Sequence, residues 1–251
     1  MPYLGYLLAQ AVKAGKTVAS AITSAASYVT RVGSSVVELS ASAEALKSPS
    51  NGSAYFVESN GWWAYSGLAL SEGQDYTILC WVKGEPDAGH ATLVSHASFR
   101  FQIRNNIEIR LDVTNGSSTS QPIYTNSSSF TNEWHHIGVK KTGSSIRFFV
   151  DGISYGGSTS LSITPRAGTG IRMGADDISG IGSIDGFTGD MSNIAIWSRP
   201  LSDNEVASVK NKKYSELTAS ETKGLISWYA LDDISGTTVP DSHGNYNGTA
   251  N

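Results

Sequence analysis

The chain has 251 residues, of which 16% are charged, and a formal net charge of −4. Lys140-Lys141 and Lys210, Lys212, Lys213 are short clusters rather than a broad basic field, so nucleic acid is not an expected partner. Cys80 is the only cysteine, which rules out an intrachain disulfide, and its place in the apolar run Tyr76-Thr77-Ile78-Leu79-Cys80-Trp81-Val82 predicts a buried thiol.

The first segment opens Met-Pro-Tyr-Leu-Gly-Tyr-Leu-Leu, with no basic residue ahead of its apolar run. Lys13 and Lys16 interrupt that run before it reaches membrane-spanning length, so neither a signal peptide nor membrane insertion is expected. Leu4, Leu8, Ala11, Gly15, Val18, Ile22, Ala25, Val29, Val32 and Val36 follow one another at spacings of four and three, which places them on one stripe of a helix. The stripe is built of small residues and would be marginal alone in water, so it needs a surface to lie on. We read residues 1–48 as a helical anchor arm and linker, with Leu4, Leu8, Val18, Ile22 and Val29 contacting another subunit or particle. The alternative is an arm that folds back on its own domain or stays partly disordered.

After the turn signal Lys47-Ser48-Pro49-Ser50-Asn51-Gly52 the pattern changes to short β-rich runs separated by turn residues, and a single domain is expected over 49–251. In Ile107-Glu108-Ile109-Arg110-Leu111-Asp112-Val113 apolar and charged residues alternate strictly, predicting one buried and one wet face. Val150-Asp151-Gly152-Ile153 reads as a tight hairpin, because Asp-Gly tolerates the positive φ of a primed turn. Ser202 with Glu205 three residues later is a capping box that starts a short helix after the strand ending at Trp197. Nine such strands in about 150 residues predict an all-β, two-sheet antiparallel sandwich.

Four pieces of this chain, in this order, resemble the laminin-G-like, concanavalin A-like jelly-roll family. They are Thr77 to Lys83, Trp134-His135-His136-Ile137-Gly138-Val139, Val150-Asp151-Gly152, and the run from Gly189 to Val206. The resemblance covers roughly residues 53–210 and implies a jelly roll. Its matching residues are mainly core and turn positions, so it speaks for the fold and only loosely for a ligand.

A fifth piece is out of place. Gly224-Leu225-Ile226-Ser227-Trp228-Tyr229 and the turns through Asp241-Ser242-His243-Gly244-Asn245-Tyr246-Asn247-Gly248 are similar to the segment that normally opens this family's domain. So few residues cannot bury a core of their own. The segment 224–251 therefore supplies a strand to its own sandwich, making a circular permutant, or to a neighbouring copy; a third reading is the stump of a second repeat.

Candidate site residues follow from side-chain chemistry. Trp62, Trp63 and Tyr65 are the densest aromatic group, and strand alternation turns one of the two tryptophans outward, as a candidate glycan or partner contact; the competing reading is packing against the N-terminal arm or a neighbouring subunit. Trp81, Trp134, Trp197 and Trp228 fall at core positions of the family and are read as packing. Asp232, Asp241 and Asn245 are oxygen donors in turns where some relatives hold structural calcium; the competing reading is that they bond to their own main chain. His135 and His136 are strand neighbours on opposite faces and cannot share a metal, with His135 read as a satisfied core group. Asp185 and Asp190 are the nearest approach to a glycosidase pair, but no catalytic residue is assigned.

One cysteine, no export signal and an anchor-like arm on an outward-facing lectin-like module fit a virion protein assembled in host cytoplasm. The expectation is a non-catalytic structural protein, a bacteriophage capsid decoration or tail appendage, at the virion surface. Its partners would be its own copies, other virion proteins and a surface glycan. The alternative is an extracellular carbohydrate-binding or adhesion module.

Overall fold

Period-two alternation sets the architecture. In Ala54–Phe56 (β1) Tyr55 faces out between two buried residues, and in Ala64–Leu70 (β2) Ala64, Ser66, Leu68 and Leu70 are buried while Tyr65, Gly67 and Ala69 are exposed. The structure is a computed structural model, described here for residues 52–56, 64–84, 89–126, 129–176 and 186–250. The proposed arm with Leu4, Leu8, Val18, Ile22 and Val29 lies outside the described residues, as do Trp62, Trp63 and Asp185. Residues 46–251 make up one structural unit.

Two antiparallel sheets face each other. The first runs β1, Gly189–Trp197 (β13), Tyr76–Gly84 (β3), His135–Thr142 (β9), Ser145–Val150 (β10), Ile153–Ser160 (β11), and Leu225–Tyr229 (β14) also pairs with β13. The second runs Thr238–Val239 (β15), Gly248–Ala250 (β16), β2, Gly168–Met173 (β12), His90–His96 (β4), Phe99–Arg104 (β5), Glu108–Thr114 (β6), Thr119–Ser120 (β7), with Ile123–Thr125 (β8) also on β6. Ile78, Cys80, Val82, Ile137, Val139, Ile194 and Ile196 from the first sheet meet Leu68, Phe99, Phe101, Ile109, Leu111 and Val113 from the second in one core. This is the all-β two-sheet sandwich expected from the pattern, and it fits the jelly roll that the resemblance implies.

The outer face of the first sheet carries a second apolar layer. Leu79, Phe149, Ala195, Trp197 and Trp228 point away from the main core and pack with Leu201, Val206 and Val209. The last two lie on the helix Asp203–Val209 (α1), which starts at the predicted capping box: Glu205 N donates to Ser202 Oγ at 3.2 Å and Ser202 N to Glu205 Oε2 at 2.7 Å. Trp81 Nε1 donates to the Lys210 carbonyl at 3.1 Å and Trp197 Nε1 to that of Glu221 at 2.7 Å, tying the segment after α1 to the sheet. Trp81, Trp197 and Trp228 are buried and Trp134 is half-buried. The Asp-Gly hairpin has φ of 53° at Asp151 and 81° at Gly152. A Cβ on Gly152 would sit 3.2 Å from Ala207 Cα, so this turn docks on α1 by having none.

The displaced C-terminal segment pairs within its own chain. β14 covers β13 from Ile194 to Trp197, while β1 covers the same strand from Gly189 to Met191. The two short strands meet at a bulge in β13, where Asn193 takes φ 49° and its N–H donates to the Ala230 carbonyl at 3.2 Å. The chain then crosses to the second sheet, where Thr249 and Ala250 pair with Tyr65 and Ala64 of β2. A Cβ on Gly52 would lie 3.3 Å from Asp232 Cβ, so the two ends of the sandwich adjoin.

One expectation is overturned. The polar face of β6 is not wet: Arg110, Asp112 and Thr114 are buried alongside Ile109, Leu111 and Val113. Alternation reports which side a residue faces, and here the outward charges are satisfied by one another instead of by water.

Candidate functional site

Strand register puts six side chains in one row across the outer face of the second sheet. Thr249, Tyr65, Arg172, Ser95, Arg100 and Asp112 are successive cross-strand partners, and direct partners share a face. The row begins at an open aromatic end: Tyr65 is 39% exposed, and a Cβ on Gly67 beside it would meet nothing within 4 Å. The Tyr65 ring lies over β12 at Gly170, whose φ is 94° and where a Cβ would stand 2.7 Å from the ring. Glycine is required there both by the backbone and by the ring above it.

The row ends in a buried ion cluster. Arg100 Nη2 is 2.8 Å from Asp112 Oδ2, its Nη1 is 2.8 Å from Asp176 Oδ2, and Arg110 Nε donates to Asp112 Oδ1. Gln102 Nε2 adds a bond of 2.9 Å to Asp112 Oδ2. Two guanidiniums and two carboxylates balance, which is the condition for burying such charges. The stretch after β12 folds over this row: Ser95 Oγ donates to the Ala175 carbonyl at 2.7 Å and Arg172 Nη1 to that of Asp176 at 3.0 Å. Asp112 and Asp176 are thus spent holding arginines. What the row offers at its open end is an aromatic face beside polar groups held by a rigid floor, an arrangement suited to stacking a sugar ring and bonding its hydroxyls.

The other candidates fall elsewhere. Asp241 is buried, and its carboxylate accepts main-chain N–H bonds from Trp228 at 2.8 Å, His243 at 3.0 Å, Asn245 at 3.1 Å and Tyr246 at 3.0 Å. It organises the turn that follows β14, while Asp232 and Asn245 are exposed. Among the described residues no three His, Cys, Asp or Glu side chains group closely enough to hold a metal. Asp190 lies on β13 opposite Tyr55 and Lys83 and accepts from Ser53 Oγ at 2.9 Å.

The two histidines do point to opposite faces. His135 Nδ1 is 3.1 Å from Asp151 Oδ2 with its ring edge-on to Phe130, and His136 is buried against Trp81. Burial pushes the His136 imidazole down to about 3. Burial also pushes the Cys80 thiol far above its ordinary value, so it is inert.

Arg172, Ser95, Arg100, Gln102, Asp112 and Asp176 were not singled out from sequence. A usable signal was present: a hairpin turn at Asn105-Asn106, with φ of 50° and 61°, sets Arg100 opposite Asp112 and Arg104 opposite Glu108. Opposite charges facing across a turn would have marked the pair of strands.

Residues 58–207 match the family model of the concanavalin A-like lectin/glucanases superfamily, Laminin_G_3. The chain belongs to that superfamily. The match stops short of 224–250, the segment that closes the superfamily sandwich here from the far end of the chain. Among solved structures, a Bacteroides ovatus protein to which carbohydrate binding has been ascribed is similar with a TM-score of 0.61 at 16% identity, covering 80% of this chain and 58% of that one. The heptameric SAP-like pentraxin of Limulus polyphemus gives 0.48 at 14% identity, covering 65% and 79%. The CBM40 of the Ruminococcus gnavus IT-sialidase gives 0.47 at 14% identity, covering 59% and 97%. These are likenesses of fold. The chain spans little more than half the length of the Bacteroides ovatus protein. No curated protein matches the sequence. Among the described residues no helix is long and apolar enough to cross a membrane.

Proposed function

We propose that this is a non-catalytic, lectin-like display protein whose sandwich binds a glycan on the outer face of its second sheet. The observation that carries the reading is the row from exposed Tyr65 to the buried Arg100–Asp112 pair, an aromatic platform on a rigid polar floor in a superfamily of lectins and glucanases. The name of the Bacteroides ovatus neighbour is consistent with it. A hydrolase would need two carboxylates free to work across a cleft. Asp112 and Asp176 are bound to arginine, and Asp190 lies on the other sheet. The test is an array of neutral and acidic oligosaccharides probed with the full chain and with Tyr65→Ala; loss of signal in the variant supports the site, and no binding by the parent protein refutes it.

The finer part of the proposal is a virion structural role, as a capsid decoration or tail appendage. Its support is the apolar stripe that includes Leu4, Leu8, Val18, Ile22 and Val29, a pattern that needs a surface to dock on. Deleting residues 1–36 is expected to abolish incorporation into particles while leaving glycan binding intact. Normal incorporation of the deletion variant would remove the arm as the anchor, and absence of the full chain from particles would leave the free adhesion module as the better description.

A further inference from the structure

Four buried side-chain atoms without a hydrogen-bond partner lie together on the outer face of the second sheet: Thr92 Oγ1, Gln102 Oε1, Arg104 Nε and Glu108 Oε2. Thr92 stands directly across from Gln102, and Arg104 across from Glu108, in consecutive rows of that face. The orientation of the Gln102 amide is not arbitrary. Its Nε2 donates to Asp112 Oδ2 at 2.9 Å, so its Oε1 must point the other way, where no donor meets it. Native folds leave few buried polar atoms unspent, and leaving one unmade is costly, so a patch that gathers four calls for a partner. Thr92 and Gln102 are fully buried, whereas Arg104 and Glu108 are half-buried and form the rim.

Resting on the glycan reading above, we propose that this patch is its specificity subsite and takes the vicinal hydroxyls of a neutral saccharide. The chemistry selects the class. Gln102 Oε1 and Glu108 Oε2 accept only and require donors, Arg104 Nε donates only, and the Thr92 hydroxyl does either. A carboxylate or sulfate brings no donor, while a sugar hydroxyl both donates and accepts, so a diol meets all four. All four atoms are buried in the free protein, so binding requires the groups that cover them to move aside. Tyr65 and Thr92 lie on strands separated only by β12 and in consecutive rows, a span of about 12 Å that two or three sugar rings cover.

The test uses the full chain on the same array, followed by calorimetric titration with the tightest-binding neutral oligosaccharide. Thr92→Val and Glu108→Met are each expected to weaken binding about three- to tenfold, and Thr92→Val to raise the melting temperature, because it removes a buried hydroxyl that has no partner in the free protein. Unchanged affinity in both variants, with affinity lost in Tyr65→Ala, overturns the subsite and leaves the glycan reading standing. A preference for acidic over neutral glycans overturns the assigned class. Absence of glycan binding by the parent protein overturns both.

Discussion

Trp228 Nε1 donates to Asn193 Oδ1 at 3.1 Å, and through this bond the C-terminal strand grips the bulge of β13 beside the point where β1 begins. Asn193 serves twice, as acceptor and as one of the few residue types that hold φ 49° without strain. Asn193→Ala is expected to cost about 2–4 kcal/mol, the sum of an orphaned indole N–H and the left-handed backbone. Asn193→Gly keeps the backbone and should lose only the first part. Urea titrations of the two variants measure the difference.

The Asp241 carboxylate should act through the main chain and not through a metal. Its four N–H donors use the oxygens that calcium would need, so adding calcium or a chelator is expected to leave the melting temperature unchanged. Asp241→Ala should destabilise by about 3 kcal/mol, since several buried donors lose a charged acceptor together. A calcium-dependent rise in melting temperature would restore the metal reading.

Acid should erode stability over two overlapping pH windows. His136 binds a proton near pH 6.5 in the unfolded chain but, buried against Trp81, only near pH 3 in the folded one. Across that window the unfolded state holds more protons, so stability falls by about 1.4 kcal/mol per pH unit as pH drops. His136→Phe should flatten this limb in urea titrations between pH 6.5 and 4.5. Glu205, held by Arg199, and Glu221, whose burial is outweighed by Lys212 and Thr218, are both depressed from 4.5 to about 2. Their contribution is complete above pH 4.5 and is lost as pH falls towards 2, so the second window should survive in the His136 variant.

Gly170→Ala should disturb the site without touching any polar group. The added methyl meets the Tyr65 ring and is strained at φ 94°, so the ring must lift from β12. We expect a stability loss of about 1–3 kcal/mol together with weaker glycan binding. Tyr65→Ala should instead lose binding with little change in stability, because the ring is half-exposed. Parallel calorimetry of both variants separates floor from platform.

Much of the fold could be read before any coordinates. The Asp151-Gly152 turn, the Ser202 cap and the burial of Cys80 follow from local chemistry that tertiary context has little power to override. The site was less legible, and for a physical reason. Alternation in β6 assigns Arg110 and Asp112 to a face, but whether that face meets water depends on Arg100 across the hairpin and on Asp176, which is distant in sequence and reaches Arg100 only in the fold. Tyr65 was noticed as an aromatic. That it rests on Gly170 depends on a pairing between β2 and β12, which no local pattern encodes. Sequence leaves the pairing of β14 open between its own chain and a neighbouring copy, because either would satisfy the same edge of β13.

The split edge of β13 bears on how the molecule is made. Residues 194–197 wait unpaired on one side until Leu225–Tyr229 has been synthesised, and Tyr65 waits for Thr249. Such distant closures are slow, and an open apolar ribbon is sticky in the interval. A ribosome carrying this chain therefore holds an unfinished sandwich until its last strands emerge, and chaperone protection during translation should matter more for its yield than the equilibrium strength of the finished fold.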